Sequence, residues 1–164
     1  MNTFTVSFFG HRHLDNAYAA EQALEKIIRE LLHRSEFIEF LVGRDGDFDL
    51  LAASTIKRCK RAINEDNSAL IWVLPYATAD FQNNIAAYQS YYDEIELCEH
   101  AAGSHFKAAF QKRNRSMVDR SDLAIFCVER KQGGAYQTMR YAQKQGKQYI
   151  NLADTDTISA ISNL

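Results

Sequence analysis

Five short apolar runs most constrain the fold. They are Phe4–Phe9, Phe37–Val42, Ala69–Leu74, Leu123–Val128 and Gln148–Leu152. Gly10 follows the first, Gly43 the second and Pro75 the third, each a residue that punctuates a strand. Most of these runs are continuous rather than alternating, the pattern of strands buried on both faces of a parallel sheet. Helical spacing fills the gaps. From Ala17 to His33 the residues Ala20, Leu24, Ile27, Ile28, Leu31 and Leu32 share one face, with Glu21, Glu25, Lys26, Arg29 and Glu30 elsewhere. Asp15 or Asn16 is placed to cap that helix. Further helices are expected from about Phe48 to Ile63, between Ser104 and Arg120, and from Gly133-Gly134 to Gln145. Tyr76 to Gly103 reads as an elaborated crossover with a short helix before Tyr91, and the last residues as another short helix. The expectation is an α/β fold: a single domain over residues 1–164, with a doubly wound, mainly parallel five-stranded sheet and helices on both faces.

Composition excludes several classes. A chain of 164 residues suits one core. Nineteen basic and twenty-one acidic residues give a net charge of -2, and 46% of residues are hydrophobic, which fits neither a disordered chain nor a basic, nucleic-acid-coating surface. No apolar run approaches the ~20 residues of a membrane span. Met1-Asn2-Thr3-Phe4 enters a strand pattern without an export signal. Cys59, Cys98 and Cys127 lie far apart without CxxC spacing, so neither a disulfide framework nor a thiolate metal site is expected, and a reducing cytoplasm suits them.

In a doubly wound sheet of the Rossmann type, ligands bind beyond the carboxyl ends of the strands, so the residues after each run are the candidates. The first such loop is Gly10-His11-Arg12-His13, which offers a sharp turn, two imidazoles and a guanidinium to an anion. The plainer role for its histidines is to satisfy loop backbone groups. The second is Gly43-Arg44-Asp45-Gly46-Asp47-Phe48-Asp49. Its alternating aspartates suggest calcium, but the sixth and twelfth positions of an EF-hand loop would be Leu50 and Ile56, and the motif fails. Asp47 or Asp49 is placed to cap the next helix or to accept from a sugar hydroxyl, while Gly43 and Gly46 admit close approach of a ligand. The third loop runs from Glu129 to Gly134, and Gly133-Gly134-Ala135 would present helix N–H groups to a phosphate.

Phe106, Phe110, Arg113 and Met117 share a helical stripe, which places Arg113 on a core-facing side where it needs an anion. Asp119, Asp122 or a ligand phosphate would serve. Arg115 would point away unless the helix bends. The basic run Lys57-Arg58-Cys59-Lys60-Arg61 reads as a solvated face, and Trp72 as core. Tyr88, Tyr91 and Tyr92 with Asp93 read as packing, with a base-stacking lid as the alternative.

The order of these motifs resembles the SLOG superfamily, which includes YpsA-like proteins, the DNA-processing protein DprA and the LOG or lysine-decarboxylase-like phosphoribohydrolases. The resembling stretches are Phe9-Gly10-His11-Arg12, Val42 to Asp49, Tyr91-Tyr92-Asp93, Arg113-Asn114-Arg115-Ser116-Met117 to Asp122, Gly133-Gly134-Ala135 and Gly146 to Leu152. Gly-His-Arg and Arg-Asn-Arg-x-Met-Val look most like a bacterial branch near the YpsA-like proteins. The resemblance implies a Rossmann-like domain binding a nucleotide or nucleotide-derived ligand. Catalysis carries over in part. The phosphoribohydrolases use an Arg four residues before a Met, matched by Arg113 and Met117, together with a Glu in Pro-Gly-Gly-x-Gly-Thr-x-x-Glu. Counted from Gly133-Gly134, that Glu falls on Arg140 and the Gly-Thr pair on Tyr136-Gln137.

The leading expectation is therefore a cytoplasmic sensor or regulatory domain for a small-molecule nucleotide derivative, ADP-ribose-like ligands included. The ligand would meet Gly10, His11, Arg12, Gly43, Gly46, Asp49, Arg113, Arg115, Gly133, Gly134 and Ala135, with no metal. The alternative is a hydrolase of an N-glycosidic bond, in which Arg113 holds phosphate and Asp49 or Asp93 supplies the polar chemistry. Nucleic acid is not expected as a partner at this net charge, although Lys112, Arg113 and Arg115 form a local basic patch. The resemblance and the many tyrosines suggest a homodimer.

Overall fold

The computed structural model describes residues 1–154. The short helix expected of the last residues lies outside them. Strands β1 (Thr3–Gly10), β2 (Phe37–Val42), β3 (Ser68–Leu74), β4 (Glu94–Leu97), β5 (Leu123–Cys127) and β6 (Tyr149–Asn151) form one sheet in the order β4-β3-β2-β1-β5-β6. Every neighbouring pair is parallel. The sheet has six strands rather than the expected five. The added strand, β4, carries Glu94-Ile95-Glu96-Leu97, and no residue of it is fully buried. A half-polar edge strand lacks the continuous apolar run by which the other strands were recognised.

Helices α1 (Ala17–Arg34), α2 (Asp47–Ile63), α3 (Ala79–Asn83) and α4 (Ile85–Tyr91) precede β4, and α5 (Phe106–Arg120) and α6 (Gly134–Lys144) follow it. They divide between the two faces. Leu24, Ile27, Ile28 and Leu31 of α1 and Phe48, Ala52 and Ile56 of α2 cluster with Val6, Phe8, Phe40 and Ile125. Ala109, Met117 and Val118 of α5 and Ala142 of α6 cluster with Phe9, Leu41, Ile71 and Phe126 on the other face. Each buried Leu, Ile or Phe contributes about 1.5–3 kcal/mol, so the two layers hold the sheet from both sides.

Asn16 caps α1 by accepting from the Ala19 amide at 3.0 Å. In the crossover, Trp72 makes edge contacts with Phe81 and Tyr88 and a tilted one with Tyr92, so these tyrosines are packing and not a lid. The basic run in α2 is a solvated face at Arg58 and Arg61 alone. Lys60 is buried, Cys59 is buried, Lys57 donates to the Tyr91 carbonyl at 2.7 Å, and Arg58 pairs with Glu21 and Glu25. The long aliphatic stems carry these charges across apolar surface to fixed partners.

No helix of the described residues is long and apolar enough to cross a membrane.

Candidate functional site

Strands added after β1 proceed outward on one side, and β5 and β6 are laid down on the other. The switch point lies between β1 and β5, where Gly10 pairs with Cys127 in register. Carboxyl ends of diverging strands leave a crevice there. A cleft of about 800 Å³ occupies it, lined by Gly10, Arg12, Gly43, Asp45, Asp49, Arg113, Gly133, Gly134 and Ala135 among others. Three loops far apart in sequence thus meet at one cleft.

The first two loops are fused by close backbone approach. The Asp47 amide donates to the Arg12 carbonyl at 2.9 Å, and the Leu14 amide to the Asp47 carboxylate at 3.3 Å. A Cβ on Gly46 would sit 2.4 Å from the Arg12 Cα, so Gly46 serves this contact between loops rather than a ligand's approach. Likewise a Cβ on Gly10 would lie 2.3 Å from the Phe48 ring, which fixes the end of β1 on α2.

His11 holds the third loop. It is buried, and its Nε2 accepts from the amides of both Glu129 and Arg130 at 3.1 Å. Accepting at Nε2 requires the neutral ring with its proton on Nδ1. Burial and the nearby Arg130 lower its pKa, against the opposing pull of Asp15. His11 is therefore a structural acceptor, whereas Arg12 is exposed and has no ion pair among the described residues. Beyond His11, Gly133 takes φ +93° and leads into α6 without a side-chain cap. Nothing lies within 4 Å of a Cβ built on Gly133, so the turn and the first α6 N–H groups are open to the cleft.

On the floor, Arg113 is 2% exposed, and each of its three nitrogens is engaged once. One terminal nitrogen donates to the Val73 carbonyl at 3.0 Å, Nε donates to Asn114 at 2.9 Å, and the other terminal nitrogen is ion-paired with Asp45. The anion that α5 demanded is thus Asp45. Asp122 instead accepts from the Thr5 amide at 2.8 Å, and Asp119 from the Tyr141 hydroxyl at 2.7 Å. Asn114 passes the contact on to Thr138 at 3.2 Å, which donates to the Gly134 carbonyl at 2.9 Å, linking the floor to the third loop.

Asp49 is buried beside this pair. One of its oxygens accepts from the Asp45 amide at 2.9 Å, and the other has no donor among the described residues. Burial, and then the neighbouring Asp45 carboxylate, raise its pKa to about 7, against the Asp45 N–H and Arg113. A Cβ on Gly43 would lie 3.0 Å from Asp49, 3.2 Å from Asp45 and 3.3 Å from Arg113, so Gly43 keeps the meeting point of the three groups open. Cys127 ends β5 beside Gly10 but packs into the core, where burial and Glu129 push its thiol up to about 11 and leave it an inert apolar filler.

Two candidates lie elsewhere. Arg115 projects from α5 away from this cleft, over the Tyr141 ring at 5.2 Å, because it is two residues from Arg113 and hence on another helix face. Asp93 stands just before β4, at the amino edge of the sheet, where it accepts from Lys60 at 2.5 Å and from the Leu70 amide at 2.7 Å. It is a staple between α2 and β3. The cleft also includes Arg130 and Gln132 of the third loop, and Phe106, Lys107, Phe110 and Gln111 around the start of α5, which the strand-end rule passes over. Phe106 is half exposed, and an apolar ring left in water on the helical stripe of Arg113 was the available signal. No group of three metal-ligating side chains occurs among the described residues.

No family model and no curated protein matches the chain. Among solved structures it is similar to DNA processing protein A from Streptococcus pneumoniae (TM-score 0.66, 18% identity, 98% of this chain and 55% of that one). It is also similar to DNA processing protein A from Helicobacter pylori, studied for its single-stranded DNA binding mode (TM-score 0.63, 19% identity, 90% and 64% of the two chains). A third likeness is to TM1055 (TM-score 0.55, 17% identity, 90% and 72%). The fold is Rossmann-like. The chain spans under two thirds of either DNA processing protein, and at these identities the likeness is one of fold.

Proposed function

We propose that the chain binds a nucleotide or nucleotide-derived ligand in the cleft between β1 and β5, as a sensing or regulatory domain. One observation carries the reading: three strand-end loops converge there with opposite chemistry at the two ends of one cavity. At one end are the uncapped start of α6 and the side chains of Arg12 and Lys107, which have no ion pair among the described residues and suit a phosphate. At the other are Asp45 and Asp49, which suit hydroxyl donors. Gly10 and Gly46 support the loops, His11 positions the third, and Arg113 positions Asp45. Gly43, Asp49, Gly133, Gly134 and Ala135 are the groups assigned to the ligand itself. The Gly-His-Arg and Arg-Asn-Arg-x-Met-Val marks favour the YpsA-like branch within the superfamily.

The test is a thermal shift with AMP, ADP-ribose and NAD, followed by mass analysis of the mixture. A ligand present at a hundredfold excess over its Kd stabilises by about 2.7 kcal/mol, a rise of roughly 5–11 °C for a chain of this size. No shift with any nucleotide would sink the reading.

One observation favours hydrolysis of an N-glycosidic bond as a second reading. Asp49, with a pKa of about 7 and one oxygen free of donors, is poised to give a proton to a departing base. The same mixtures would then contain free base, and Asp49→Asn would abolish its release while ligand still bound. The Helicobacter pylori protein binds single-stranded DNA. That sets a DNA strand against the expectation that nucleic acid is no partner, so an oligothymidylate belongs in the panel.

A further inference from the structure

We infer that the ring of Phe106 carries the base of the ligand, so that the cleft takes base-bearing nucleotides in preference to sugar phosphates; this rests on the nucleotide reading above. Phe106 and Phe110 stand one turn apart at the start of α5, and both line the cleft. Their surroundings differ. Phe110 is half-buried and already engaged, with the Tyr76 ring edge-on at 6.0 Å and the Arg113 guanidinium at 5.3 Å. Phe106 is 52% exposed and packs with neither of the buried clusters that flank the sheet. Among the described residues the only ring it meets is that of His105, its neighbour in the chain, at 4.6 Å. An aromatic face left open to water on the wall of a cavity is a stacking surface for a planar group.

The groups beside it suit the edge of a base. Gln111, Gln132 and Gln137 line the same cleft, and none of their side-chain amides is hydrogen-bonded among the described residues. Each amide offers two donors and an acceptor, the complement of a base edge, on which donors and acceptors sit side by side. A sugar phosphate has no flat face to lay on Phe106. Gln111 also joins this wall to the phosphate end, because a Cβ on Gly134 would lie 3.4 Å from its Nε2. The base and the phosphate of one nucleotide are therefore met by adjoining walls, the first turn of α5 and the start of α6.

Isothermal titration of the full chain with AMP and ribose 5-phosphate tests this. A base stacked on an aromatic side chain is worth about fivefold to 150-fold in affinity, the ratio that ~1–3 kcal/mol gives. AMP is expected to bind tighter than ribose 5-phosphate by about that ratio. In Phe106→Ala the ratio should fall about fivefold or more through weaker AMP binding, with the affinity for ribose 5-phosphate little changed. Phe106→Trp should keep the ratio, and AMP but not ribose 5-phosphate should quench the new indole. Phe106 lies outside both buried clusters, so its removal leaves the fold intact, which circular dichroism checks. Equal affinity of the wild type for the two compounds, or an unchanged ratio in Phe106→Ala, would overturn the inference and leave nucleotide binding standing. Failure of AMP, ADP-ribose and NAD alike to bind would overturn both.

Discussion

The two edges of the sheet each carry a cation buried under a partly exposed carboxylate, and they differ in what is left over. At the amino edge, Lys60 and Asp93 meet through one Asp93 oxygen, and the other oxygen belongs to a half-exposed side chain that water can reach. Lys60 donates to Asp93 and to the Ser68 carbonyl, and Asp93 also accepts from the Leu70 amide. At the carboxyl edge Arg113 is equally well supplied, but Asp49 is buried beside its partner Asp45 with an acceptor to spare. A pair whose spare acceptor faces bulk water is a staple, whereas a spare acceptor on a buried carboxylate lining a cleft is the mark of a site.

The largest effect that would sharpen this contrast comes from removing each carboxylate. Asp45→Ala strands a guanidinium that stays charged, and should cost about 3–5 kcal/mol in urea unfolding. Asp93→Ala strands an ammonium that can lose its proton, and should cost about 2–3 kcal/mol. Equal costs would mean that the two edges are alike in kind.

The next test is pH. The pKa of Asp49 is raised from 3.8 to about 7 in the fold, so its contribution to stability is complete below 3.8 and is lost as pH rises through 7. Asp49→Asn cannot ionise. It should be more stable than the wild type at pH 8, by on the order of 2–4 kcal/mol, and the gap should shrink towards pH 5. A gap independent of pH would show that Asp49 does not titrate there.

A smaller effect of opposite sign belongs to His11. Its pKa is lowered in the fold, so its contribution is present above the unfolded value of 6.5 and is lost as pH falls through the folded one. The amide resonances of Glu129 and Arg130 should titrate together below pH 6.5, and in His11→Gln they should not. The smallest effect expected is about 1 kcal/mol for Gly133→Ala. No neighbour is struck there, and the cost is that of holding an L side chain at φ +93°, ψ 174°, a conformation that Gly alone adopts readily.

The fold could be read from the sequence where one physical pattern dominates a segment. Phe4–Phe9 and Ala69–Leu74 are continuous apolar runs, and they became β1 and β3. Glu94–Leu97 is a strand because the sheet supplies a partner edge, and its alternating acids gave no sign of that. The site was legible to the level of loops. Gly10, Gly43 and Gly133 do meet at one cleft, as strand-end topology requires. Which side chain faces which was not legible, because it depends on contacts across long sequence separations. The stripe of α5 showed that Arg113 needed an anion, but Asp45 lies 68 positions away and was reached only through the fold. Arg115 and Asp93 stood close to site motifs in sequence, and helix phase and sheet edge carried them elsewhere.

The way the three loops are fastened gives the cleft unequal walls. The first two are joined backbone to backbone at Arg12 and Gly46, with no room for so much as a methyl group. The third leans on the lone pair of one imidazole and on an ion pair, Arg130 to Asp15 at 3.7 Å. One wall of the cleft is thus welded main chain to main chain and the other is pinned by side chains, and protonating His11 would turn one of those pins from an acceptor into a donor.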